Sequence, residues 1–232
     1  MSRALRNDPA TLAPAVAATL PITYACAGCG YIAPSDRPVP MRCPHARPDD
    51  DIDHVMGRVI DAARLAWPAG DEPNPFVRYR TLFHAYHLAL AGGWTDADYV
   101  ALVERLDAAI AAVDGAGFRM TPFARHAALS ERLGFSHLGG VFVKDETGNV
   151  SGSHKARHLM ATLLELEVAD ALFGGPAASR RLAIASCGNA ALAAAVMASA
   201  AGRELDVFIP QIGRAHGLNS SHLKLSRMPS SA

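Results

Sequence analysis

The chain has 232 residues, half of them apolar, and its 22 basic side chains balance 22 acidic ones for a formal net charge of zero. That length suits one large domain or two small ones with a sizeable core. The neutral balance, with basic residues scattered, argues against an electrostatic nucleic-acid binder, and no apolar stretch reaches the length of a membrane span.

Residues 1–20 read as a mobile leader on a cytoplasmic protein. Arg3 and Arg6 precede an alanine-rich segment in the manner of a signal peptide, but Asp8, Pro9 and Pro14 break that pattern. Residues 21–50 form a cysteine-rich element, rich in Pro and Gly and poor in periodic apolar pattern. Cys26 and Cys29 have Cys-x2-Cys spacing, and Cys43 follows with Pro44 and His45 directly behind it. Three clustered thiols, Cys26, Cys29 and Cys43, with His45 or a further group as the fourth ligand can complete a tetrahedral zinc site. Free thiols in a loop are the other reading, and the spacing leaves both open.

Residues 51–118 read as a helical region. The acidic run Asp49-Asp50-Asp51 leads into a helix through about Trp67, with Val55, Val59, Ala62 and Ala66 on one face. A second helix is expected over residues 76–90 and a third over 96–113, the latter capped by Thr95 and closed by Gly115.

The pattern changes over residues 119–210. A helix over 122–133 stops at Gly134, and Val141-Phe142-Val143 is a short strand. A helix over 154–173 carries Met160, Leu163, Leu164, Val168 and Leu172 on one stripe. A strand over 182–185, an alanine-rich helix over 190–201 and a strand over 205–209 complete the series. This order predicts an α/β fold, a partial open parallel sheet with right-handed crossovers. Residues 211–232 hold no acidic side chain and no sustained period, and read as a disordered tail or as sequence outside the native reading frame.

The chain holds three lysines against nineteen arginines. Arginine serves almost any surface charge but cannot condense with an aldehyde, whereas lysine can. Lys155 lies in Ser151-Gly152-Ser153-His154-Lys155, where Ser153 caps the following helix and places Lys155 in its first turn. The positive end of a helix is electrostatically unfavourable to an extra ammonium there. Ser186-Cys187-Gly188-Asn189 is a strand-to-helix turn whose backbone amides can approach a carboxylate or phosphate, although a simple capped turn has the same pattern.

These residues carry a resemblance. Lys144-Asp145-Glu146, Asn149 and Gly152-Ser153-His154-Lys155 resemble the cofactor-lysine segment of the fold type II pyridoxal-phosphate enzymes. Threonine synthase, tryptophan synthase β, cysteine synthase and the serine/threonine dehydratases belong to that family. Ser186-Cys187-Gly188-Asn189 resembles its Ser-x-Gly-Asn loop, and Thr121-Pro122-Phe123 with Leu133-Gly134 resembles its Thr-Pro-Leu segment. Arg78-Tyr79-Arg80 and the cysteine-rich element are similar to features of the threonine-synthase-like branch.

The resemblance implies that Lys155 binds pyridoxal 5'-phosphate and that His154 neighbours the phosphate. It further implies that Asn189 bonds the ring hydroxyl, and that Ser186, Cys187, Gly188 and Asn189 hold the carboxylate of an amino-acid substrate. The implied reaction is a lyase or synthase chemistry of β- or γ-elimination or replacement, with a homodimer as the full-length form. Neither the family's later glycine-rich phosphate loop nor its pyridine-nitrogen partner is recognisable after Asn189. The expectation is therefore an incomplete form of such an enzyme, with an inactive fragment or a zinc-stapled non-enzymatic protein as the alternative.

Overall fold

The computed structural model describes residues 20–40, 42–135, 139–174 and 181–209. The expected leader and tail lie outside these residues, apart from Leu20. The chain divides into two compact units: residues 1–70, 78–102 and 164–178 in one, and residues 71–77, 103–163 and 179–232 in the other. Among the described residues no helix is long and apolar enough to cross a membrane.

In the first unit, β1 (Ile22–Cys26) pairs antiparallel with β2 (Met56–Ile60), with Ile22 opposite Ile60 and Cys26 opposite Met56. The ladder extends at both ends, through Ala27 N–H to the Val55 carbonyl at 2.8 Å and Asp61 N–H to the Pro21 carbonyl at 2.9 Å. The helix expected after His54 is therefore corrected to a strand. Val55, Val59 and Ile60 are β-branched and favour the pleated surface, and Gly57 weakens a helix at its centre. Only a 3-10 turn at Ala62–Arg64 remains helical, with the Asp61 carboxylate accepting from the Ala63 amide.

The single helix expected over 76–90 is also divided. Helix α1 (Pro75–Arg78) gives way to a 3-10 turn at Arg80–Leu82, and α2 (His84–Ala91) follows. Phe83 between them is extended, with φ −105° and ψ 136°. The His87 ring Nε2 lies 2.8 Å from the Thr81 carbonyl, which the break removes from a continuous ladder. Helix α2 buries His84, Ala85, Leu88 and Ala89.

Helix α3 (Asp96–Asp114) forms as expected, and Thr95 caps it reciprocally. The Asp98 amide donates to Thr95 Oγ1 at 3.2 Å, while the Asp98 carboxylate accepts from the Thr95 amide at 2.8 Å. Tyr99, Leu102, Val103, Leu106 and Ile110 make its buried face, and Gly115 ends it at φ 86°.

In the second unit, β3 (Phe123–Arg125) pairs antiparallel with β4 (Phe142–Lys144), with α4 (Ala127–Arg132) between them in sequence. The helix expected from Pro122 thus starts only after His126, whose Nδ1 accepts from the Leu129 amide at 3.2 Å. The preceding residues are drawn into the hairpin, where His126 N–H meets the Val141 carbonyl and Asp145 N–H meets the Pro122 carbonyl. The buried Ser130 hydroxyl accepts from the Val141 amide at 3.0 Å and fixes α4 against β4.

Helix α5 (Lys155–Phe173) follows, its residues divided between the two units. Strands β5 (Leu182–Ala185) and β6 (Leu205–Phe208) are parallel, joined through α6 (Asn189–Ala200). The expected three-strand parallel sheet is reduced accordingly: among the described residues β4 belongs to the antiparallel pair, and β5-α6-β6 is the parallel unit. Helix α6 packs on both of its strands and on the turn at Val150–Gly152. Its buried alanines, Ala191, Ala193, Ala194 and Ala198, allow that close approach.

Replacing Thr95 by alanine should destabilise the protein by about 1 kcal/mol, the usual loss for an N-cap. Urea unfolding would detect this as a lower midpoint with an unchanged slope. An unchanged midpoint would show that the reciprocal cap contributes nothing.

Candidate functional site

The turn before Lys155 is shaped by one buried amide. Asn149 Nδ2 donates to the Ser153 carbonyl at 2.8 Å, and Asn149 N–H donates to the Glu146 carbonyl at 3.1 Å. Between them Ser151 takes φ 54° and Gly152 φ 66°, so two successive residues are left-handed. Ser151 is the unusual one, since a side chain disfavours that region. Its amide donates to the Asp114 carboxylate at 2.8 Å. Ser151 Oγ and Asn149 Oδ1 are buried without a hydrogen-bond partner.

The Ser153 hydroxyl accepts from the Lys155 amide at 3.3 Å, and Lys155 opens α5. His154 and Lys155 are exposed. Among the described residues the Lys155 amine has no ion-pair or hydrogen-bond partner. Arg157, two positions on, is fully engaged. It donates to Glu146 at 2.7 Å, to the Arg119 carbonyl at 3.0 Å and to Thr121 Oγ1 at 3.1 Å.

Thr121 also donates to Glu146, and the Lys144 amine donates to the Thr121 carbonyl at 2.6 Å. Burial alone would raise the Glu146 carboxyl, but the bonds from Arg157 and Thr121 and the charges of Arg157 and Lys144 hold it below the ordinary range. Sequence reasoning aligned Glu146 but missed its partnership with Arg157, which needs residues from three separate stretches of chain.

The second predicted segment lies at the C-terminal end of β5. Ser186 Oγ accepts from the Gly188 amide at 3.3 Å, and α6 starts at Asn189. The Ala191 and Leu192 amides both turn back to the Gly188 carbonyl. Helix geometry leaves the Asn189 and Ala190 amides without intrahelical acceptors, facing outward from the turn. Cys187 and Asn189 are exposed, and the Cys187 thiol is free. The turn at Val150–Gly152 packs against α6. The lysine segment and the helix that begins at Asn189 are therefore neighbours within one unit.

The cysteine-rich element forms a separate cluster. Side-chain atoms of Cys26, Cys29, Cys43 and His54 all lie within 4.8 Å of one another. Cys29 Sγ is 3.6 Å from Cys43 Sγ, and Cys26 Sγ is 3.3 Å from His54 Nδ1. His45, the imidazole expected there from its place beside Cys43, is exposed, with Nδ1 3.6 Å from Cys29 Sγ. It belongs to the rim of the cluster.

His54 was missed because its segment read as a helix start. The signal that could have found it is Asp50, whose carboxylate meets His54 Nε2 at 2.8 Å. That carboxylate, with Cys26, raises the His54 imidazole to about 9. Burial pushes the Cys26 thiol up, but the Cys29 and Gly28 amides and His54 outweigh it and bring it down to about 6.

Residues 116–224, just under half of the chain, match the family model of pyridoxal-phosphate dependent enzymes. No curated protein and no solved structure gives a match. The matched segment contains Lys155 and Asn189, and it supports a pyridoxal-phosphate-dependent enzyme. The residues present fit that cofactor by their chemistry: an accessible amine at a helix start, without a partner among the described residues, and in the turn before it two buried oxygens without a hydrogen-bond partner.

Glu146→Ala should lower the unfolding free energy by about 1.5–3 kcal/mol at neutral pH, because it removes the charge-assisted bond to the Arg157 guanidinium. The folded carboxyl titrates below its unfolded value. Its contribution is complete above the ordinary glutamate value of about 4.3 and disappears as pH falls through the lowered folded value. The difference between parent and variant should therefore close on acidification in urea titrations. A difference independent of pH would refute the ion pair.

Proposed function

We propose that this chain binds pyridoxal 5'-phosphate through Lys155 and acts on an amino acid by β- or γ-elimination or replacement, as a threonine-synthase-like, fold type II enzyme. The observation that carries the reading is the unpaired, exposed amine of Lys155 at the start of α5, inside the segment that matches the cofactor family. The order of the Thr121, Lys155 and Asn189 segments supports the finer placement. We further read the protein as a cytoplasmic homodimer with a small-molecule substrate.

When bound, pyridoxal phosphate supplies an electron sink for negative charge at the substrate α-carbon. The chain's own residues position and protonate. Lys155 would hold the cofactor through its amine, and the same amine would serve to move the proton at the substrate α-carbon. His154, exposed before the helix start, would neighbour the phosphate. Asn189, which can both donate and accept, would orient the ring through its hydroxyl. The Ser186–Asn189 turn offers backbone amides at the start of α6 to the substrate carboxylate, where the helix dipole favours an anion.

Arg157 and Glu146 act by holding the turn. Their mutual neutralisation keeps a carboxylate from pairing with Lys155, so the amine stays available for covalent chemistry.

The test is chemical trapping. The purified chain, mixed with pyridoxal phosphate and reduced with borohydride, should carry one adduct on the peptide containing Lys155. The adduct should vanish in Lys155→Ala, with Lys144 and Lys224 left unlabelled. Asn189→Ala should keep the site of labelling but bind the cofactor about tenfold more weakly, the worth of roughly one hydrogen bond. No adduct, or equal labelling of all three lysines, would overturn the proposal.

A further inference from the structure

We propose that Cys26, Cys29, Cys43 and His54 hold one zinc ion as a closed structural site, with Asp50 orienting His54 from behind. The inference is independent of the cofactor reading and concerns the other compact unit.

The first argument is metric. Ligands at zinc distances of about 2.3 Å for sulfur and 2.0–2.1 Å for nitrogen form a tetrahedron with edges of about 3.7 Å between sulfurs and 3.5 Å between sulfur and nitrogen. The Cys29–Cys43 edge is 3.6 Å and the Cys26–His54 edge 3.3 Å, and the full set lies within 4.8 Å. Three soft thiolates and an imidazole in this arrangement select zinc over harder cations. Four protein ligands leave no open position, so the site is structural rather than catalytic.

The second argument is orientation. His54 turns Nδ1 toward Cys26 and Nε2 toward the Asp50 carboxylate at 2.8 Å. A carboxylate on the far nitrogen fixes the ring and the tautomer, as the outer partners of metal-bound histidines do. His54 and Asp50 are largely buried, with side-chain exposures of 6% and 17%. His45, by contrast, is exposed and packs edge-on against Tyr31 with ring centroids 5.1 Å apart.

The third argument is the backbone. The described residues between Cys26 and Met56 contain no helix and no strand, only an isolated bridge from Ala25 to Ile32. A connection of that length needs something other than a hydrophobic core to order it. The chain makes a tight turn there, with Gly30 N–H bonded to the Cys26 carbonyl at 2.9 Å and Gly30 left-handed at φ 73°. A side chain at Gly28 would meet the Asp53 carbonyl at 2.6 Å, so the His54 segment lies directly against the turn.

Elemental analysis of the full chain, produced with zinc in the medium, should find one zinc per polypeptide. Cys26→Ser and His54→Ala should lose it, while His45→Ala should keep it in full. His54→Cys, which restores a ligand, should regain zinc and so separate ligand loss from failure to fold. Asp50→Asn should retain zinc but release it to a chelator about 10–100-fold more readily, the range for a lost outer partner. A zinc-free parent, a Cys29–Cys43 disulfide in the parent, zinc retained by His54→Ala, or zinc lost from His45→Ala would each overturn the assignment.

Discussion

The buried Asn149 amide, bonded at 2.8 Å to the Ser153 carbonyl, sets where α5 begins and therefore where Lys155 stands. Without that bond the chain would have little reason to accept Ser151 at φ 54°. A non-glycine residue in that region costs about 1–3 kcal/mol. Three contacts offset the strain: the Asn149 bond, the Ser151 amide on Asp114, and Val150, which is fully buried. All of these contacts precede the helix, so the first turn of α5 is arranged before the lysine is reached. This strain lies in the turn just before the helix that Lys155 opens, and it leaves Ser151 Oγ and Asn149 Oδ1 buried without a hydrogen-bond partner.

The two units obtain order by different means. The α6 face of the second unit is a layer of alanines and Met197, packed on β5, β6 and the Val150 turn. Small side chains bury little area each, but they let backbones approach and so fix the Asn189 end relative to the lysine turn. The hairpin of β1 and β2 has no such layer. Ile22 is buried, yet Ile32, Val59 and Ile60 are more than half exposed. A sheet of two strands is marginal alone, and the convergence of Cys26, Cys29, Cys43 and His54 supplies the long-range constraint that apolar burial does not.

Many of the helix boundaries were legible because their signals are local. Thr95 with Asp98, Gly115, Gly202 and the alanine run of α6 each act within a few residues, and the structure uses each as its chemistry suggests. What was illegible depends on partners distant in sequence. Residues 56–60 have a helical spacing of apolar side chains, but the open edge of β1 wins them as a strand. Pro122 to Arg125 is captured by β4 in the same way, some twenty residues on. His54 was hidden by the first of these errors, since a residue read at a helix start is not looked for beside Cys26. His45, adjacent to Cys43 in sequence, has its Nδ1 3.6 Å from Cys29 Sγ but is not among the four groups that lie within 4.8 Å of one another.

The pairing of charges around α5 explains why its lysine differs from its arginine. Residues two apart on a helix point to widely separated sides. Arg157 therefore turns to Glu146, Thr121 and the Arg119 carbonyl, while Lys155 cannot share those acceptors. A planar guanidinium with five donors suits that multidentate role, and an ammonium would fill it poorly. The converse holds two residues earlier, where the covalent chemistry proposed for Lys155 would require an amine and arginine could not serve. In a chain with three lysines and nineteen arginines, the exchange of either residue for the other here would remove the role proposed for it without changing the charge. Lysine scarcity is thus a weak signal by itself. It becomes informative once the neighbouring Arg157 is seen to pair with Glu146, leaving the Lys155 amine without an ion-pair partner among the described residues.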